Sequence, residues 1–367
     1  MAINKWVDSG EIYIVGEYQI GTSIPTGQYK IGMVQNDSTS VDRLSDHQTG
    51  NPNKLFLAAV VPVEATYLVE QLMHIRWDAN RISLEWFRFT TADITQAVTD
   101  INTLDAQHGP SVVQLRNVYF AAPTSGSNPS LTPALLLQAE QQRDDAYDLC
   151  KDMAQLKFTS ETLKLQILTQ NGLNASVDCV TTVKVKASYS EFSESLLPAA
   201  LKATYMTKTR KRKDDFRFLF TQAPAQICNI SLASAHWRSL FSAEETAHGN
   251  ARSLWTSMEP TITPSTVNAN VQLRSAGIEA LHDAYTSQLR QYRALDEQLK
   301  VIEVNLKVMC YDYEEIPNVC RWRRVAQSNS FNKEEFKRLD FAAFTDSSNQ
   351  APKGNTAKPT VVKFKAW

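Results

Sequence analysis

A chain of 367 residues is long enough for two or three separately cored units, and 43% hydrophobic with 21% charged residues is an ordinary globular composition. The formal net charge of -1 excludes a uniformly basic nucleic-acid binder, so affinity for a polyanion has to come from local patches. No apolar run reaches the roughly 18 residues of a membrane span, the opening MAINKWVDSGEIYIVG does not have the make-up of a secretory leader, and the five cysteines are scattered without a CxxC pair, so reduced thiols in a cytoplasmic setting are expected.

Residues 11–16 (EIYIVG) and 29–34 (YKIGMV) are rich in Ile, Val and Tyr and read as two strands, with Gly21, Pro25 and Gly27 in the hairpin loop between them. SVDRLSDHQ (40–48) reads as a short helix with Ser40 at its N-cap, followed by a TGNPNK turn. LFLAAVVPV (55–63) is an apolar run of strand length suited to a central position. EATYLVEQLMHIRW (64–77) has apolar residues at helical spacing, and LEWFRFT (84–90) reads as a last strand. The fold class expected is therefore α+β: a small domain over 1–92 with a three-stranded sheet and flanking helices.

A helix and an extended piece follow to about 120, and APTSGSNPSLTP (122–133) has the composition of a linker, so 93–133 reads as a connecting segment. Residues 134–170 read as long helix broken near Phe158–Ser160, then VDCVTTVKVKAS (177–188) as a strand, 190–207 as a helix containing Pro198, and RKRKDDFRF as a basic-aromatic strand. The stretch 273–309 reads as a second long helix, followed by CRWRRVA (320–326), FNKEEFKRLDFAAF (331–344) and VVKFK (361–365). The order of long helix, strand, mixed segment and basic-aromatic strand occurs twice. Helix-rich modules over 134–222 and 223–367 are thus expected to be a diverged internal repeat. The long helices also offer a seam for a helical hairpin or a homodimer.

Six features of the first ninety residues come in a distinctive order. They are Tyr13 in EIY, YKIG at 29–32, Arg43 with His47 one helical turn later, the turn Thr49-Gly50-Asn51-Pro52, Glu70 in the next helix, and Glu85-Trp86-Phe87. This part of the chain, about a quarter of it, resembles the GIY-YIG nuclease superfamily, and within it a branch common in phages that carries KIG, TGNP and EWF segments. The resemblance implies metal-dependent hydrolysis of phosphodiester bonds in DNA, with Tyr13, Lys30, Arg43, His47 and Glu70 in the site and Glu70 holding Mg²⁺ or Mn²⁺. Two departures stand out: Glu11 replaces the Gly of GIY, and Lys30 occupies the place of the second Tyr. Strand alternation puts Tyr29 on the opposite face from Lys30, so Tyr29 cannot take over. Lys30, Tyr13 and His47 all remain open as the general base. The family's Asn near the metal has no clear counterpart; Glu85 and Asn80 are the nearest residues to it.

The chemistry suits these residue types. An arginine fork matches a phosphate, Arg43 and His47 share a helix face, and a lone carboxylate suits a Mg²⁺ that keeps most of its waters. Glu70 sits on an otherwise apolar helix, where a carboxylate without a partner is costly. His74, four residues further on, reads either as its partner or as a surface residue.

Residues 134–220 also resemble, over a shorter stretch, the helical C-terminal extension of YqaJ-type viral recombinases. Cations interleaved with aromatics at Arg210, Lys211, Arg212, Lys213, Arg321, Arg323 and Arg324 suit phosphate contacts combined with base stacking. DNA is the expected partner. No GxGxxG, Walker A, Ser-His-Asp or HExxH pattern occurs, so nucleotide-driven and proteolytic chemistry find no support. Two other readings stay open on the sequence: a non-catalytic nucleic-acid binder on a degenerate nuclease fold, and a phage-borne structural or interaction protein.

Overall fold

A computed structural model describes residues 7–35, 39–49, 51–119, 123–171, 174–177, 181–186, 189–207, 212–223, 230–258, 268–272, 275–326, 330–331, 333–346, 349–353 and 356–361. The fold is α+β, an N-terminal antiparallel sheet followed by a helix-rich region.

The N-terminal sheet is built from β1 (Gly10–Tyr18), β2 (Pro25–Gln35), β3 (Leu55–Val63), β4 (Arg81–Ser83) and β5 (Trp86–Arg88) in the order β3-β1-β2-β5-β4. It has five strands where the sequence suggests three, because β5 adds to the edge of β2 at Gln28–Lys30 and β4 folds back onto β5. Period-2 alternation splits β1 between two cores. Ile12 and Ile14 pack with α2 (Thr66–Arg76) and α3 (Thr91–Tyr119). Tyr13 and Val15 face the other way, with Leu44 of α1 (Ser40–Gln48) against that cluster. The N-cap of α1 is Thr39, one residue before the expected Ser40. Its side chain and that of Asp42 bond reciprocally to each other's backbone N–H, a capping box.

Beyond α3 come β6 (Thr124–Ser127), α4 (Pro133–Asn171), β7 (Asn174–Val177), β8 (Thr181–Lys186), β9 (Tyr189–Phe192), α5 (Ala199–Thr204), β10 (Met206–Thr207) and β11 (Arg212–Phe218). Then α6 (Ala235–Leu240) and α7 (Ser242–Met258) precede β12 (Asn268–Gln272), α8 (Ala276–Cys310), β13 (Tyr313–Ile316), β14 (Cys320–Ala326), β15 (Ser330–Phe331), α9 (Lys333–Leu339), α10 (Phe341–Thr345), β16 (Gln350–Lys353) and β17 (Thr356–Val361).

The internal repeat is visible in the strand register. Hairpin β13–β14 pairs Glu315 with Arg321 and Ile316 with Cys320; hairpin β7–β8 pairs Ser176 with Thr182 and Val177 with Thr181. Each hairpin takes its flanking strands from the other copy. One sheet runs β11-β14-β13-β6 and the other β17-β8-β7-β12, each with one parallel pair, at β6–β13 and at β7–β12. The short pairs follow the same exchange, β9 with β16 and β10 with β15. The two copies are therefore interleaved rather than separate modules divided near residue 222. The linker expected at 122–133 contributes β6, an edge strand of one exchanged sheet.

Two further expectations change. Helix α4 runs unbroken through Phe158–Ser160, because Phe158 is buried and the Ser160 and Thr162 hydroxyls bond back to the carbonyls of Lys157 and Phe158. The stretch 190–207 is not one helix. Tyr189–Phe192 is strand and Pro198 is the N-cap of the short α5, since proline cannot continue a helix from within. The long helices find their seam inside the chain: α8 packs against α4, and on another side against α2, where Val304 joins the N-terminal core.

Candidate active site

Register across β1 and β2 sets the floor of the site. Tyr13 is paired with Gly32 and its ring lies across that glycine, where an added Cβ would stand 2.4 Å from Tyr13 Oη. The glycine of KIG is thus the space Tyr13 needs. Tyr29, by contrast, is buried among Phe56 and Phe89 in the other core, as its parity requires.

Helix α1 brings Arg43 and His47 over this floor. Glu11, the residue in place of the first motif glycine, accepts from Ser40 N at 3.1 Å and Ser40 Oγ at 2.6 Å, tying the first turn of α1 to β1. At the other end Gln48 donates to the carbonyls of Asn51 and Asn53 and accepts from Leu55 N, fixing the Gln-Thr-Gly-Asn-Pro turn from within; Gly50 itself lies outside the described residues.

His47 Nε2 lies 3.0 Å from Tyr13 Oη and 3.3 Å from Lys30 Nζ. An ammonium only donates, so Nε2 accepts and the ring proton belongs on Nδ1. Burial, with the Lys30 and Arg43 charges adding to it, lowers the His47 pKa, so the imidazole is neutral near pH 7. Burial pushes the Tyr13 phenol up to about 12 against the opposing pull of Arg43. Tyr13 is 1% exposed and stays protonated, so it donates to His47 from beneath and does not meet solvent itself. Of the three residues open as general base, Tyr13 is buried and protonated, Lys30 is ion-paired with Glu85 at 3.1 Å, and His47 is neutral.

Arg43 is half exposed and 3.4 Å from Asp46, and its charge acts on Tyr13. Glu70 is 8% exposed, and its Oε2 accepts from Gln71 Nε2. Burial raises its carboxyl pKa, with His74, Arg293 and Lys30 opposing. A carboxylate so placed gains from a nearby cation. Among the described residues no three His, Cys, Asp or Glu gather into a metal-binding group.

His74 is not a surface residue, and it acts on Glu70 through charge while its ring nitrogens bond elsewhere. It is fully buried, with Nδ1 3.0 Å from Glu297 Oε1 and Nε2 3.1 Å from the Ile31 carbonyl. Glu297 belongs to α8. It also accepts from Arg81 Nη2 at 2.6 Å and from Arg293 Nε at 2.8 Å, while Arg293 Nη2 donates to Glu85 at 3.0 Å. Burial acts to raise the Glu297 carboxyl, but His74, then Arg81 and Arg293, outweigh it and hold it at about 2. Glu85 is lowered in the same way: burial opposes, and Lys30 followed by Arg293 prevails. Sequence reasoning missed Arg293 and Glu297 altogether, since both lie some two hundred residues away from the motifs.

The basic stretches of the helix-rich region meet on one sheet, where β11 pairs with β14. Arg212 and Lys213 stand in register with Ala326 and Val325, and Arg210 and Lys211 lie outside the described residues, as do residues 362–365 of VVKFK. Arg323 is exposed, and Arg321 is exposed with Glu315 at 3.4 Å. Arg324 has to be withdrawn from the expected phosphate contacts. It is 3% exposed and lies 4.5 Å over the Trp322 ring, with Asp312 at 3.7 Å.

The N-terminal domain is of the nuclease-like class. That assignment rests on residues 10–102, which match the family model described as the T5orf172 domain. No curated protein and no solved structure matches the chain. Among the described residues no helix is long and apolar enough to cross a membrane.

Proposed function

We propose that the N-terminal domain is a metal-dependent endonuclease of the GIY-YIG type that hydrolyses phosphodiester bonds in DNA. One observation carries the proposal: a neutral His47 whose Nε2 is held between Tyr13 and Lys30, beside Arg43, with a buried Glu70 whose charge acts on Tyr13. The Arg43 fork binds two non-bridging phosphate oxygens. A bound phosphate draws Lys30 toward itself, and the Tyr13 hydroxyl rotates its proton off Nε2, which together free the lone pair. His47 then takes a proton from the attacking water as its oxygen bonds to phosphorus and the phosphorus–oxygen bond to the leaving group breaks. Glu70 would hold a divalent cation, Mg²⁺ or Mn²⁺, which would supply positive charge to the leaving alkoxide. The exposed cations Arg321 and Arg323 of β14 contribute contacts to the DNA backbone, and the RKRK run at 210–213 adds its charge to them.

The test is nicking of supercoiled plasmid by the full chain with Mg²⁺ or Mn²⁺, beside Glu70→Ala. Metal-dependent nicking that disappears in the variant is the expected result. DNA retention without nicking at any metal concentration would replace the enzyme with a binding module, and full activity of Glu70→Ala would refute the site.

A further inference from the structure

Helix α8 belongs to the second repeat copy, yet it presents three charged side chains to the loop that carries Glu85. Arg290, Arg293 and Glu297 fall at i, i+3 and i+7, one face of a helix. Arg290 Nη2 donates to the Ile82 carbonyl at 2.9 Å, and Arg293 donates to the Glu85 carboxylate. Glu297 holds Arg81, whose Nη1 in turn bonds the Leu84 carbonyl. Leu84 sits at φ 44, a left-handed conformation that a γ-branched residue adopts only where its surroundings enforce it. The same loop places the Glu85 carbonyl on Ile31 N and its carboxylate on Lys30.

The other repeat copy supplies a comparison within the same molecule. Phe158 stands as far before Thr181 as Glu297 stands before Cys320, and Ala154 is likewise the counterpart of Arg293. Both counterparts are buried apolar residues in α4. The repeat scaffold therefore does not need charge at these positions; copy two carries it where α8 meets the nuclease-like domain.

We infer that Arg293 and Glu297 are positioning residues of the nuclease-like site, clamping the 82–85 loop so that Glu85 fixes Lys30 beside His47. The site is thereby completed by the helix-rich region, and the two halves of the chain act as one unit. The inference rests on the proposed nuclease site for its effect on catalysis, but its geometric core can be tested without cleavage.

The informative variant is Arg293→Met, which keeps the length of a side chain that is 27% exposed and leaves Glu297 with Arg81 and His74. In the full chain the His47 imidazole is titrated by NMR. Lys30, Arg43, Asp46 and Glu85 are the charged groups acting on it, with Tyr13 bonded from below. Removing Arg293 leaves Glu85 less neutralised, so the His47 midpoint moves up; Arg293→Lys restores it. In plasmid nicking the expected effect of Arg293→Met is a loss in kcat of about 10- to 100-fold, the range for partners that orient a first contact, with KM little changed. A His47 midpoint unchanged in Arg293→Met, with nicking also unchanged, overturns the inference. If the wild-type chain does not nick DNA, the nuclease reading fails alone and the titration still decides whether α8 positions the site.

Discussion

Gly32→Ala tests the geometry of the site floor most directly. The new Cβ would meet Tyr13 Oη at 2.4 Å and Cζ at 2.5 Å, well inside any tolerated contact. Strand β2 cannot retreat, since β1 pairs along one side of it and β5 along the other. The Tyr13 ring must move instead, and at 1% exposure it can move only by displacing its neighbours. Overpacking of this kind costs about 1–3 kcal/mol, and loss of the bond to His47 adds about 0.5–1.5 kcal/mol. Equilibrium urea denaturation reads the stability loss, and NMR titration reads His47, whose orienting partner has moved. Gly249→Ala on α7 is the control, because its Cβ enters open space in a helix and should be neutral or stabilising by up to about 1 kcal/mol. In a Tyr13→Phe background Gly32→Ala should cost less, as the closest clashing atom is gone. If Gly32→Ala matches wild type in both denaturation and His47 titration, the placement of Tyr13 over Gly32 is wrong.

Two more outcomes follow from the same groups. On the proposed mechanism cleavage requires a neutral His47 and an ionised Glu70; burial lowers the first below its usual 6.5 and raises the second above its usual 4.5, so kcat/KM should be lost as pH falls through the higher of the two, above pH 4.5. An acid limb below pH 4.5 would show that cleavage does not need the Glu70 carboxylate ionised. Glu11→Ala leaves the buried Ser40 N–H and hydroxyl without their acceptor and should cost about 0.5–2 kcal/mol, read as faster amide exchange through α1 with loss of nicking; unchanged protection of α1 would show that Glu11 does not anchor the helix.

Local pattern carried the nuclease-like domain a long way. The alternation in EIYIVG and YKIGMV, the capping segment before Arg43 and the helical spacing around Glu70 are short-range signals, and each formed the element it suggests. Strand parity alone put Tyr29 and Lys30 on opposite faces, which the separate surroundings of the two side chains repeat. The failures were long-range. Residues 124–127 look like linker because their pairing partner, β13, lies almost two hundred residues later. Pro198 and the Phe158–Ser160 stretch misled in opposite directions, the first starting a short helix and the second running through a long one, because packing and hydroxyl back-bonding are not written in the local composition. Arg293 and Glu297 sit in an ordinary charged helix, and nothing in their own sequence distinguishes them from a solvated face.

The repeat explains why that distinction had to wait for the fold. In α4 the positions equivalent to Arg293 and Glu297 hold Ala154 and Phe158, and the helix buries them against its neighbours. In α8 the same helical face meets a domain whose own polar groups, Arg81 and His74, are cut off from water by the contact. An apolar residue at 297 would leave His74 without its carboxylate and Arg81 with that of Asp78 alone, so burial that stabilises α4 would be costly in α8. One scaffold, used twice with its strands exchanged, thus faces two different environments, and the charges have gone to the copy that touches the candidate site.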